Sequence, residues 1–233
     1  MGLKPHQLYS LLHDHFGQLN WWPVDQRYHR NWQSDPRFEI MVGAILTQNT
    51  AWSNVEKALL NLKNKKALSV EKIVHLPLDQ VKKLIQPSGF FNQKATRLKN
   101  LSHMIYESYD NNIDKMFDTD ISLIRAQLLS LNGIGPETAD SIILYAGNLP
   151  IFVVDAYTTR LYQRIPLSTD HPSYNTIQKF FETDLNRQYP KEELVFIYQQ
   201  LHALLVEVAK QFCKKKPLCD SCPVKKSCKT KLF

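Results

Sequence analysis

The sequence is poor in the features that mark several large protein classes. Four cysteines and seven glycines are few for 233 residues. With so few cysteines, all of them in the last 21 residues, no disulfide framework can run along the chain. No apolar run approaches the roughly 20 residues needed to cross a bilayer, which excludes a membrane-spanning helix. No low-complexity segment and no fixed-period repeat is present. The first residues, MGLKPHQLYS, contain no apolar signal core, so an intracellular, cytoplasmic protein is expected. A disordered tail protein is excluded as well, since 43% of residues are hydrophobic and 22% charged. At 27.1 kDa the chain can bury one large core or two small ones.

Charge is present but unevenly spread. The formal net charge is +7 and the pI about 9.1. From Cys213 to Phe233 there are seven lysines and one acid, whereas the remainder holds 22 basic and 21 acidic residues. Nearly all the excess charge thus shares the last 21 residues with the four cysteines.

Apolar residues recur at helical spacing along most of the chain. One stripe is Phe38, Met41, Val42, Ile45 and Leu46, and the next is Val55, Ala58, Leu59 and Leu62. Further stripes run through Leu98, Leu101 and Ile105, and through Leu194, Ile197, Leu201, Leu204, Leu205 and Val208. Prolines and glycines fall between them, at Pro77, Pro87, Gly89, Gly133, Pro150, Pro166 and Pro190, where helices should stop. The only strand-like piece is Ile151 to Val154, too short to found a sheet. An all-α fold of about ten helices is expected.

Three groups of residues carry chemistry. In LLSLNGIGPETADSIILYAGNL, Leu128 to Leu149, a helix ends at Gly133-Ile134-Gly135 and another starts with Pro136 at its first position. Such a terminus offers backbone N–H groups to a phosphate, although an ordinary glycine turn between packed helices has the same signature. A dinucleotide fingerprint fits poorly, because Thr138 stands where a third glycine belongs. Asp155 follows an apolar stretch and precedes the helix Ala156 to Tyr162, so it reads first as a helix N-cap. Cys213, Cys219, Cys222 and Cys228 are separated by five, two and five residues. In an intracellular chain four such thiols suit zinc or an iron–sulfur cluster better than disulfides. Lys214, Lys215 and Lys216 fill the first of these loops, as a solvated face or as contacts to phosphate.

These pieces together resemble the helix-hairpin-helix (HhH-GPD) DNA glycosylases of the endonuclease III-like superfamily. LNGIGPETAD followed by Val153-Val154-Asp155 resembles the hairpin and aspartate motif. Leu46-Thr47-Gln48-Asn49-Thr50 resembles the early glutamine loop, and Gly89-Phe90-Phe91-Asn92-Gln93-Lys94 the aromatic-Asn segment. With the terminal cysteines the match runs from about residue 38 to 228.

The resemblance implies two helical domains with a cleft between them. Residues 36–150 would form a helical barrel carrying the hairpin, and residues 1–35 with 151–233 an iron–sulfur cluster domain. It implies Asp155 as the catalytic carboxylate, able to stabilise the positive charge that builds on a sugar as its base leaves. It implies a [4Fe–4S] cluster on Cys213, Cys219, Cys222 and Cys228, although the family's first gap is six residues rather than five. Gln48 and Phe90 match positions that fill and wedge the opened duplex, and Gly133 and Gly135 the phosphate-binding turn.

Two positions narrow the expected activity. Where strand-cleaving relatives carry a Schiff-base lysine this chain has Glu137, so a monofunctional glycosylase without lyase activity is expected. Trp21-Trp22-Pro23 with TQNTAW resembles the 3-methyladenine glycosylase branch, which implies that Trp22, Pro23 and Trp52 hold the base. Read alone, such aromatics are more often core than pocket. An indole face does attract a methylated, cationic purine. The expected partner is double-stranded DNA with damaged bases, met by a monomer that would be nucleoid-associated in a bacterial or archaeal cell. The rival readings are a glycosylase for oxidised or mismatched pyrimidines, a non-catalytic helix-hairpin-helix module and a zinc-dependent regulator.

Overall fold

The computed structural model describes residues 3–165, 172–214 and 216–228. The helix stop expected at Pro166 and the lysine at position 215, Lys215, lie outside the described residues. Thirteen α-helices and no strand are found among the described residues, so the fold is all-α. The chain divides into a central unit, Trp22–Leu149, and a terminal unit of Met1–Trp21 with Pro150–Phe233.

The central unit is organised on α3 (Pro36–Leu46), in which every residue from Phe38 to Leu46 is buried. Asp35 caps it by accepting the Arg37 N–H at 2.8 Å, with Pro36 as the first helical residue. Also in this unit are α2 (Gln26–Trp32), α4 (Trp52–Asn64), α5 (Val70–His75), α6 (Leu78–Ile85) and α7 (Phe91–Ser108), with α5 and α6 packed on α7. Next come α8 (Ile113–Phe117), α9 (Ile121–Ser130) and α10 (Pro136–Ser141), the last continuing as a wider π turn, Ile142–Ala146. The π turn, α4, α7 and α10 all pack on α3.

One polar residue interrupts that buried surface. Glu39 on α3 accepts from His29 Nε2 of α2 at 2.7 Å and pairs with Lys63 Nζ of α4 at 2.6 Å. This network draws residues 22–35 into the central unit, whose first residue is Trp22 where the sequence suggested 36. Helices α2, α5 and α8 have seven, six and five residues. Each is under two or so turns, too short to register as a periodic stripe, which is why the sequence suggested about ten helices.

The terminal unit is built on α13 (Leu194–Gln211), buried on most of its faces. Helix α1 (Pro5–Phe16) and α11 (Ala156–Arg164) pack against it, and α12 (Tyr174–Gln188) packs on α1. Gln200 clasps Leu19, donating to its carbonyl at 2.8 Å and accepting from its N–H at 2.9 Å. The strand-like segment 151–154 is buried and forms no regular element, and side chains of α12 bond part of its backbone. The Phe152 N–H donates to Glu182 Oε1 at 2.9 Å, and its carbonyl accepts from Gln178 Nε2 at 2.7 Å. The Val154 N–H donates to the Tyr174 hydroxyl at 3.3 Å. The Phe152 ring stacks on Phe181 at 4.6 Å, an aromatic pair worth about 0.5–1.5 kcal/mol beyond its burial. Helix α12 thus holds this strap at both backbone and side chain.

The Glu39 network makes a prediction about pH. Burial alone would push its carboxyl up, but the hydrogen bonds from His29 and Lys63, with their charges, hold it below its ordinary value. A carboxyl lowered on folding stabilises the native state above its unfolded pKa and ceases to as pH falls through the folded one. Glu39→Gln should therefore cost about 1–3 kcal/mol at neutral pH, measured by denaturant unfolding. The difference from the unsubstituted protein should shrink as the pH is lowered below the carboxylate range.

Candidate functional site

Helices α9 and α10 form a helical hairpin in the central unit. The turn between them closes through the Ile134 N–H donating to the Leu131 carbonyl at 3.0 Å. Arg125 on α9 grips the fully buried Asp140 on α10, with Nε to Oδ1 at 2.7 Å. Gly133 has φ +85°, a backbone conformation that calls for glycine, and the Arg97 side chain occupies the space where a Cβ would stand. Gly135 is exposed and extended, with open space around it.

Gln48 is the residue that holds this turn. Its Nε2 donates to the Gly133 carbonyl at 3.1 Å and to Thr138 Oγ1 at 2.9 Å, while Arg97 Nη1 donates to its Oε1. The glutamine and the hairpin glycine, far apart in sequence, are therefore brought together.

Lys94 fixes the loops on either side. It is fully buried on α7, and its ammonium donates to the Leu46 carbonyl, Thr50 Oγ1 and the Ser88 carbonyl at 2.7–2.9 Å. Burial, then the nearby Arg97 charge, pushes its pKa down to about 8. Phe90, just beyond this clamp, is 64% exposed and sits in the left-handed region at φ 45°.

The expected base-holding residues also meet in the central unit. Trp22 and Trp52 are half-buried and touch edge to face, with centroids 5.6 Å apart and planes at 81°. Tyr145 of the π turn lies against Trp22 at 5.5 Å. Gly43 leaves the room for that indole, since a Cβ there would stand 3.0 Å from Trp22 Nε1. Pro23 is exposed. The two indoles are brought together but are not parallel. Admitting a base between them needs about 7 Å between parallel planes, twice an ordinary contact, so Trp22 has to turn off Trp52.

In the terminal unit Asp155 caps α11. Its Oδ1 accepts the Thr158 N–H at 2.7 Å, and its Oδ2 lies 3.8 Å from Nε2 of His202 on α13. The strap therefore delivers a carboxylate to a helix start with only one of its oxygens used by the cap.

Beyond α13 the chain turns through the cysteine loops. Cys213 is buried, and Cys219, Cys222 and Cys228 are half-buried. Burial raises the Cys222 thiol, and so does the nearness of Cys213, Cys219 and Cys228, so the four sulfurs share one neighbourhood. Among the described residues, however, no group of three or more His, Cys, Asp or Glu side chains is disposed to hold a metal ion. Arg164 Nη1 donates to Cys213 Sγ at 3.0 Å and to the Lys214 carbonyl at 2.9 Å. Lys214 and Lys216 are exposed.

Residues 42–187, more than half of the chain, match the family described as HhH-GPD superfamily base excision DNA repair protein. The chain belongs to this family. It is a base excision repair DNA glycosylase of the HhH-GPD group. A protein of Methanocaldococcus jannaschii provisionally named a DNA repair glycosylase is 46% identical over 227 residues, 97% of this chain and 96% of its own. Endonuclease III of Sulfolobus acidocaldarius is 27% identical over 194 residues, covering 82% of this chain and 81% of its own. Among solved structures, the H. pylori 3-methyladenine DNA glycosylase MagIII bound to 1,N6-ethenoadenine superposes with a TM-score of 0.74. The two are 28% identical over 90% of this chain and 98% of MagIII. A non-covalent endonuclease III–DNA complex has the same TM-score at 22% identity, covering 97% and 96%, and so shares the fold.

Sequence reasoning on this HhH-GPD glycosylase passed over Lys94, Arg97, Tyr145 and His202. Lys94 carried a signal, because it falls in register with Leu98, Leu101 and Ile105 on the buried face of α7. His202 carried one too, as a polar residue inside an otherwise apolar helix. Arg97 and Tyr145 carried none, since their partners are brought to them by the tertiary fold.

Proposed function

We propose that this protein is a monofunctional DNA glycosylase that hydrolyses the N-glycosidic bond of alkylated purines such as 3-methyladenine. The observation that carries the reading is the aromatic group Trp22, Trp52 and Tyr145 on a fold that is 28% identical to MagIII. A cationic purine is attracted to indole faces and leaves as a neutral molecule, so little acid catalysis is required. As the C1′–N bond breaks, its electron pair goes to the base and positive charge develops on the sugar. Asp155 stabilises that charge and takes the proton of the water that adds to C1′. Trp22, Pro23 and Trp52 hold the base, and Phe90 enters the gap with Gln48 beside it. Gly133 and Gly135 approach the phosphate backbone, and Lys214, Lys215 and Lys216 add sequence-independent attraction.

The absence of a lyase step is supported by Glu137, exposed in the first turn of α10, which has no amine to form an imine. Among the described residues the one buried lysine, Lys94, already serves three acceptors. The donor set Cys213, Cys219, Cys222 and Cys228 fits a [4Fe–4S] cluster, which would brace the C-terminal loop. No bond-breaking step runs through it. Protein purified anaerobically should then contain about four irons per chain and be brown. Stoichiometric zinc without iron would contradict the cluster.

A second reading, an endonuclease III-like glycosylase for oxidised pyrimidines, is favoured by the likeness to endonuclease III sequences. Base release from a methylated duplex and from a thymine-glycol duplex, each with borohydride present, separates the two. The expected result is release of 3-methyladenine, an intact strand until alkali is added and no trapped adduct. Trp52→Ala should weaken release by an amount equivalent to about 1–3 kcal/mol of lost stacking. Release of thymine glycol alone, or efficient borohydride trapping, would overturn the reading.

A further inference from the structure

We infer that His202 is a positioning residue for Asp155, its buried imidazole setting the direction of the carboxylate oxygen that the helix cap leaves over. The inference rests on Asp155 being the catalytic carboxylate. Its first support is geometric. Oδ1 is held by the Thr158 N–H at 2.7 Å, which restricts rotation of the carboxylate about its Cβ–Cγ bond. Oδ2, outside the cap, lies 3.8 Å from Nε2 of His202. Both side chains are withdrawn from water, at 6% exposure for His202 and 11% for Asp155. A buried imidazole beside a buried carboxylate cannot be replaced by solvent without reordering the core of the unit.

The second support is the charge balance. Burial pushes the His202 pKa down, the Asp155 carboxylate pulls it up and Lys210 on the same helix pushes it down, with a net result below the ordinary value. The imidazole is then neutral at neutral pH and leaves the Asp155 charge available to the sugar. Once protonated, it would close on Oδ2 as an ion pair and compete with the sugar for the same oxygen. Base release should therefore be favoured above the His202 pKa and suppressed below it, with the acid limb displaced below the usual histidine range.

The test is single-turnover base release across roughly pH 4.5 to 8 by the full chain carrying His202→Leu or His202→Gln. The substrate is the methylated duplex, or the thymine-glycol duplex if the unsubstituted protein acts on that instead. His202→Leu should lose about tenfold in neutral-pH rate, equivalent to about 1.4 kcal/mol, with unchanged affinity for an abasic-site duplex. His202→Gln, which keeps an N–H donor, should recover most of that rate, and in both variants the acid limb should move to lower pH. Asp155→Asn measured alongside distinguishes the two ideas, because a fully active Asp155→Asn removes the carboxylate's role itself. With Asp155→Asn inactive, a His202→Leu protein at the unsubstituted neutral rate would overturn the inference. Should His202→Leu not fold, an unmoved acid limb in His202→Gln would overturn it equally.

Discussion

The buried strap of residues 151–154 is the constraint on which the reading of this protein depends. An extended segment without a sheet would leave backbone donors and acceptors unpaired in an apolar interior, at a cost of a few kcal/mol each. Glu182, Gln178 and Tyr174 remove that cost from α12, and Phe152 anchors the strap on Phe181. With the strap fixed, Asp155 can only emerge at the start of α11, where capping consumes one carboxylate oxygen and leaves the other. A residue that caps α11 can therefore also serve in the catalytic role proposed for it.

The central unit has a comparable linkage. Gln48, Arg97 and Gly133 form one contact, so the glutamine loop and the hairpin turn cannot shift independently. Lys94 ties the same loop to the segment before Phe90. On the proposed reading, entry of Gln48 into a duplex would release the hairpin turn. The edge-to-face contact of Trp22 and Trp52 is a second element that would have to rearrange for the base-holding role proposed for them.

Much of this was legible in the sequence, for physical reasons that can be named. Long amphipathic stretches such as α7 and α13 announce themselves by apolar period, and the hairpin by Gly133, Gly135 and Pro136. The short helices α2, α5 and α8 did not, being fixed by tertiary contacts rather than by their own pattern. The strand-like run 151–154 forms no regular element, and the side chains that bond its backbone lie on α12, about 20 to 30 residues later in the chain. The edge-to-face geometry of the tryptophans, the Gln48 amide contacts and the approach of His202 to Asp155 are likewise products of packing. Spacing can nominate such residues, but it cannot orient them.

Asp155 is where these arguments converge, and Asp155→Asn tests it most directly, because asparagine keeps both the size and the capping ability of the residue. Single-turnover base release should fall at least about a hundredfold, as for loss of a charge-stabilising group in other enzymes. Thermal stability and affinity for an abasic-site duplex should stay close to those of the unsubstituted protein. An Asp155→Asn protein that folds, binds DNA and releases the base at the original rate would contradict the account.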